Sequence, residues 1–261
     1  MKEVTLNIEG LTMIFGGIRA VDDLSFTVNQ HEIYGLIGPN GAGKTTAFNC
    51  ITQFNNPQHG KVIFNDKDGN KINLVGMKTH DIIHHGLVRT FQNVELIREL
   101  SIIDNLLVGA HINFKTSFVA HAFRTKKARE EETHLRQKAE DILKFLGLYD
   151  IRYELIAGQP YGVLKKVELG RTLMSNPKLI ILDEPAAGLN DTETLELAKL
   201  LRKIRDEYKI TILLVEHDMR LVMDICDRIC AISFGKKLCE GTAQEIQSNK
   251  DVIEAYLGKD E

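Results

Sequence analysis

The segment Gly38-Pro39-Asn40-Gly41-Ala42-Gly43-Lys44-Thr45-Thr46 has the residue types and spacing most specific for chemistry in this chain. It fits a glycine, four residues, then Gly-Lys-Thr. It stands between a β-compatible run, Glu32 to Ile37, and a helix-compatible run, Lys44 to Gln53. Glycines so spaced let consecutive backbone N–H groups turn inward on phosphate oxygens, and the start of a helix adds a favourable dipole. Lys44 supplies a mobile positive charge for β and γ phosphates, and the Thr45 hydroxyl suits Mg2+.

A nucleotide triphosphate site also needs acids at the tip of another strand. The apolar run Leu179 to Leu182 ends in Asp183-Glu184. Asp183 is read as the holder of Mg2+, directly or through water, and Glu184 as the group that orients and deprotonates an attacking water. His217 follows a second apolar run, Ile210 to Val215, which is expected to neighbour the Asp183 strand. A neutral imidazole there bonds a γ phosphate and helps to place the water. Of the nine histidines, the other eight, His84 and His85 among them, are read as having no part in the site. Cys50, Cys226, Cys230 and Cys239 show no metal or redox spacing and are expected to be small buried thiols, with Cys226 and Cys230 on one helix face.

The elements that must position these groups follow from local patterns. Thr5 to Ile8, Leu24 to Val28, Glu32 to Ile37 and Lys61 to Asn65 read as strands, with a polar turn at Asp66 to Asn70. Ser101 with Asp104 resembles a capping box for a helix through about His111. From Lys126, the residues Leu135, Ala139, Ile142, Leu143 and Leu146 fall on one helix face, with Gly147 as C-cap. A further helix is expected over Lys165 to Met174. The last third alternates apolar strands with helices. Leu197, Leu200, Leu201, Ile204 and Tyr208 form a stripe, and Asp251 with Glu254 is expected to cap a terminal helix. Such alternation predicts an α/β fold with a largely parallel sheet buried on both faces, interrupted by a helical insert.

With 261 residues, 43% of them hydrophobic, the chain is long enough for a sizeable core. Its net charge of −3 lacks the basic excess that drives non-specific nucleic-acid binding, so no nucleic-acid partner is expected. No apolar run approaches the roughly 18 to 20 residues of a membrane span, and Met1-Lys2-Glu3 does not open like a signal peptide. The chain is therefore expected to stay in the cytosol.

Taken together, these segments resemble the ATP-binding subunit of an ABC transporter over essentially the whole chain. The resemblance implies a P-loop NTPase core of RecA-like type with accessory β-strands and a helical subdomain. The core is expected over residues 1–92 and 161–261, and the helical subdomain over 93–160. It also implies that Phe15, before Gly16, stacks on adenine, and that Thr90-Phe91-Gln92 forms the Q-loop, with Gln92 at the metal and the attacking water. Tyr161-Gly162 stands where the signature motif belongs, Ala187-Gly188-Leu189-Asn190 at the D-loop, and His217 at the H-loop. The strings Ile37 to Asn49, Val88 to Gln92, Asp183 to Asn190 and Val215 to Met219, with Tyr256-Leu257-Gly258, look like the ATPase of branched-chain amino-acid importers. An insert longer than minimal, His111 to Arg136, fits that subgroup.

The resemblance further implies ATP and Mg2+ as cofactors and a second ATPase subunit, either the same chain or a paralogue. Two membrane permeases and, indirectly, an external substrate-binding protein complete the assembly, which puts the chain at the cytoplasmic face of the inner membrane as a peripheral subunit. The sequence departs from the family at two places. Gln159-Pro160-Tyr161-Gly162-Val163 stands for the usual Leu-Ser-Gly-Gly-Gln, and Asn190 stands where Asp is usual, though Asp191 follows. The helix after the signature is expected from about Val163. The alternatives are the ATPase of a lipopolysaccharide-type exporter, or a soluble ABC ATPase outside transport.

Overall fold

The computed structural model describes residues 3–90, 95–111 and 125–257. Two twelve-residue strands, β1 (Val4–Phe15) and β2 (Ile18–Asn29), pair antiparallel and continue through β4 (His59–Asn65) and β5 (Lys71–Asn73) in the order β2-β1-β4-β5. The sequence pattern captures only parts of β1 and β2. Glu9-Gly10 and Asp22-Asp23 look like turn residues, yet the register shifts between Ile8 and Leu11 show a bulge within one continuous strand. Gly10 has φ 59, which a bulge tolerates and a side chain resists.

The second sheet carries the α/β alternation. β3 (Ile33–Ile37), β6 (Leu87–Arg89), β7 (Leu179–Asp183), β8 (Thr211–Val215), β9 (Arg228–Ser233) and β10 (Lys236–Gly241) run in the order β10-β9-β3-β8-β7-β6. Every neighbouring pair is parallel except β9–β10. β3, β7 and β8 are buried at every position, as near-continuous apolar strands of a parallel sheet must be.

Helix α1 (Lys44–Ile51) follows β3, and the short α2 (Thr79–Ile82) precedes β6. Leu6, Ile8, Leu24 and Phe26 from the antiparallel sheet, Tyr34, Leu36, Ile181 and Leu213 from the parallel one, and Ala47, Phe48 and Ile51 of α1 share one buried cluster. Phe26 stacks on Tyr34 at 5.4 Å between ring centroids. Burial of this apolar area is what holds the phosphate-loop region in place.

The chain folds as two compact units, Met1–Arg89 with Lys178–Glu261, and Thr90–Pro177. The second unit contains α3 (Ile102–Val108), α4 (Lys126–Leu146) and α5 (Tyr161–Leu173). The Ser101 hydroxyl accepts the Asp104 N–H, Thr125 caps α4, and Gly147 ends α4 in the left-handed region. The seams differ from the expected 92/93 and 160/161. Helix α5 packs with α3 and α4, so the second seam falls after it, and α5 begins at Tyr161 rather than near Val163 or Lys165.

The remaining helices of the first unit are α6 (Asp191–Tyr208), α7 (Met219–Ile225), α8 (Ala243–Ser248) and α9 (Lys250–Leu257). On α6, Leu197, Leu201 and Ile204 are buried, whereas Leu200 is half-buried and Tyr208 exposed. Asn249, not Asp251, caps α9, its side chain accepting the Val252 N–H at 3.2 Å. Cys226 follows α7 and Cys230 lies in β9, so they share no helix face. All four cysteines are free, Cys239 is only half-buried, and burial pushes the Cys50 thiol up to about 11.

Candidate active site

Three adjacent parallel strands deliver the candidate residues to one edge of the sheet. Leu36 of β3 is in register with Val215 of β8, and Val215 with Asp183 of β7. The loop 38–43, the pair Asp183-Glu184 and the turn at His217 therefore leave the carboxyl ends of neighbouring strands. In open parallel sheets this edge is where ligands bind. The neighbourhood of the His217 and Asp183 strands, expected from sequence, is the observed one.

The loop is clamped from behind. The Gly235 N–H donates to Ala42 O at 2.9 Å, and the Asp22 N–H donates to Gly235 O at 2.9 Å. Gly43 has φ 99, and a Cβ there would collide with the Ala20 carbonyl oxygen. Only glycine fits, so the loop keeps its curvature against β2. No acid of α1 itself stands in its first turn, so the helix's own side chains do not occupy its positive end. Pro39 and Asn40 line the loop, Thr45 is exposed in the first turn and Thr46 half-buried.

Lys44 is 8% exposed, and its Nζ donates to Gly38 O at 2.6 Å and Pro39 O at 3.1 Å. Burial lowers its pKa, while the charges of Glu184 and Asp183 act in the opposite direction. Those two acids are thus close enough to feel the lysine. Glu184 has φ 47, a strained conformation for a side-chain-bearing residue, and its N–H donates to Val215 O at 2.9 Å. Its Oε1 lies 3.9 Å from His217 Nδ1. The strain sits at the residue read as the base, and the imidazole read as its companion stands beside it.

Two groups that sequence patterns did not single out complete the site. Arg89 of β6 donates to Asp183 Oδ2 at 2.7 Å and to Asn49 Oδ1 at 2.7 Å, and its guanidinium lies 5.3 Å from the Phe54 ring centroid. It thereby ties Asp183 to α1. Glu216 is fully buried, and its carboxylate accepts N–H bonds from both the turn after β7 and the turn after β8. The signal for both is a charged residue inside or directly after an apolar strand. That signal is weak, because strand ends are often solvated.

Phe15 ends β1, 45% exposed, and pairs with Ile18 across Gly16-Gly17. The same hairpin carries Ala20, which backs Gly43, so the ring is anchored to the loop through β2. Gln92 lies outside the described residues, as do residues 112–124 of the expected long insert. In the second unit, Tyr161 and Gly162 occupy the first turn of α5 behind Pro160, and the first i→i−4 bond of the helix is Leu164 N–H to Pro160 O at 3.1 Å. The N–H groups of Tyr161 and Gly162 precede that bond and belong to the unpaired positive end of the helix. Asn190, the other departure, caps α6 in a complete capping box with Glu193, at 3.0 and 2.9 Å. Asn and Asp serve this purpose about equally, which accounts locally for the exchange.

A family model described as ABC transporter matches residues 21–187, and one described as branched-chain amino acid ATP-binding cassette transporter matches residues 236–261. The chain is 42% identical over 259 residues to the high-affinity branched-chain amino acid transport ATP-binding protein BraF of Pseudomonas aeruginosa, covering 99% of this chain and 100% of the relative. It is 41% identical, with the same coverage, to LivG of Escherichia coli, which bears the same description. The lipopolysaccharide export system ATP-binding protein LptB of Haemophilus influenzae is 30% identical, covering 97% of each chain. Among solved structures, the ADP conformation of an ATP-binding cassette of an ABC transporter superposes with a TM-score of 0.83 at 32% identity, covering 98% of this chain and 99% of that one.

Proposed function

The chain belongs to the ABC transporter family of ATP-binding subunits, which are ATPases, and we propose that it powers uptake of branched-chain amino acids. The observation that carries the substrate class is the full-length identity of 41 to 42% to subunits so described, against 30% to the lipopolysaccharide exporter subunit. The separate match of residues 236–261 points the same way.

In this reading, Gly38 to Thr46 wraps the phosphates of ATP and Phe15 stacks on adenine. Lys44 Nζ leaves the Gly38 and Pro39 carbonyls to meet the β and γ phosphates, exchanging neutral acceptors for charged ones. Glu184 takes the proton of the attacking water, and His217 bonds the γ phosphate and holds that water in line. Gln92 senses the same centre. Thr45 and Asp183 would hold Mg2+. A hydroxyl and a carboxylate are the hard oxygen donors this ion takes, and the bond from Arg89 reaches Asp183 at Oδ2. When bound, the ion neutralises charge on the phosphate oxygens.

Two such subunits, identical or paralogous, would close on two ATP molecules, with Tyr161, Gly162 and the positive end of α5 facing the partner's nucleotide. Closure would work two permeases fed by an external binding protein, holding the chain at the cytoplasmic face of the membrane as a peripheral subunit. Consistent with that role, no helix among the described residues is long and apolar enough to cross a membrane. The test is co-purification of the chain with its membrane partners from its own cells, identification of those partners by mass spectrometry, reconstitution into vesicles and ATP-driven uptake of leucine, isoleucine and valine. Uptake that depends on Lys44 supports the reading. Co-purification with lipid-export components instead would overturn the substrate class while leaving the ATPase intact.

A further inference from the structure

Glu216 is a carboxylate with no exposed surface, placed directly after β8. Its Oε1 accepts the Ala186 N–H at 2.8 Å, two residues beyond Glu184. Its Oε2 accepts the N–H of His217 at 3.0 Å and that of Asp218 at 3.3 Å, and lies 3.8 Å from His217 Nδ1. Among the described residues, the imidazole of His217 is the only basic side chain within ion-pair distance. A buried carboxylate without a lysine or arginine is costly, and an apolar residue would fill the space more cheaply. What the carboxylate provides is two oxygens on one rigid plane, each engaged by a different turn through charge-assisted bonds.

One of those turns carries Glu184 at φ 47, with the Ala187 N–H donating to Glu184 O at 3.0 Å. The other carries His217. Glu184 and His217 side chains otherwise meet only at 3.9 Å, and they are 25% and 59% exposed, too open to fix each other. The exposed pair Arg220–Asp191, 2.9 Å apart, links the first turns of α7 and α6 further out, but at 75% and 79% exposure it adds little rigidity.

We propose that Glu216 is a positioning residue of the ATPase centre: its carboxylate bridges the turn after β7 to the turn after β8 and holds Glu184 and His217 as one unit. This rests on the assignment of Glu184 and His217 to hydrolysis. Glu216 bonds Ala186, His217 and Asp218 and no residue of the phosphate loop, which makes the main grip on the nucleotide. Its loss should therefore appear in turnover and not in affinity.

The experiment compares the full chain with Glu216→Gln, His217→Ala, the double variant and Glu184→Gln. It measures kcat and KM for ATP, Kd for a fluorescent ATP analogue with Mg2+, and thermal unfolding. Glu216→Gln keeps shape but sets an amide NH2 against an N–H group, so one turn is released. Expected are a fall in kcat of roughly 10- to 100-fold, the cost of a small misplacement at the reacting centre, and a Kd within about threefold of the parent. In the His217→Ala background the same substitution should cost much less, because the ring it places is gone. Unchanged kcat in Glu216→Gln, or losses that simply multiply in the double variant, would overturn the proposal. Should Glu216→Gln fail to fold, Glu216→Asp, which keeps the charge but is too short to span both turns, is judged by the same outcomes. Normal turnover in Glu184→Gln would instead sink the site assignment itself, so the two failures are distinguishable.

Discussion

Lys44 is the single positive charge within the phosphate-loop segment 38–46. The motif fixes its place at the start of α1, and in the structure its ammonium rests on loop carbonyls under the influence of Asp183 and Glu184. Lys44→Ala should abolish hydrolysis and weaken ATP binding, read by steady-state turnover and nucleotide titration; normal turnover is the contrary result. Phe15→Ala should lower affinity by roughly 1 to 3 kcal/mol, as for stacking of bases on aromatic rings. ATP and GTP should suffer alike, since stacking is tolerant of the base, and stability should hold because the ring is 45% exposed. Arg89 could not be read in this way. Its partners Asp183 and Asn49 lie 94 and 40 residues away, and no periodicity records such a meeting. Because the Arg89–Asp183 pair is mostly buried, Arg89→Ala should destabilise by about 3 kcal/mol, measured by denaturant unfolding. Arg89→Lys should not restore it, lacking the planar fork that serves both partners.

Secondary-structure elements were legible where a period or a cap announces them. The five-residue apolar strands and the α4 stripe ending at Gly147 are in this class. The lengths of β1 and β2 were not, because a glycine-centred bulge and an Asp pair imitate turns in sequence and only cross-strand pairing reveals them. The start of α5 was hidden by Gly162, a poor helix former that sits in the first turn, where only N–H orientation matters. Gly162→Asp should block ATP-induced dimerisation in a Glu184→Gln background by setting a negative side chain at that helix end, while each chain still binds ATP. If the variant dimerises like its parent, α5 does not face the partner's nucleotide. At α6, Asn190→Ala removes a capping box and should cost about 1 kcal/mol of stability, with the α6 helical signal fraying from its N-terminal end.

At the scale of the molecule, the order of strands joins residues that the chain keeps far apart. β3 is paired on one side with β8 and on the other with β9. Glu184→Gln, which keeps the shape of the site and removes its base, should trap an ATP-bound dimer visible by gel filtration; a nucleotide-bound monomer would count against closure of two subunits. The same strand order sets a timetable for synthesis. The phosphate loop leaves the ribosome early, but β8 starts more than 170 residues after the end of β3, on the order of ten seconds or more at ordinary elongation rates. Until then β3 has an open edge on each side. The long hairpin β1–β2 and strand β4 can shelter its apolar neighbours meanwhile, since their mutual pairing is local. A nascent chain halted before residue 211 should therefore capture no nucleotide, although its phosphate-binding motif is complete, and should be the form most prone to recruit chaperones or strand-pair with its neighbours on a polysome.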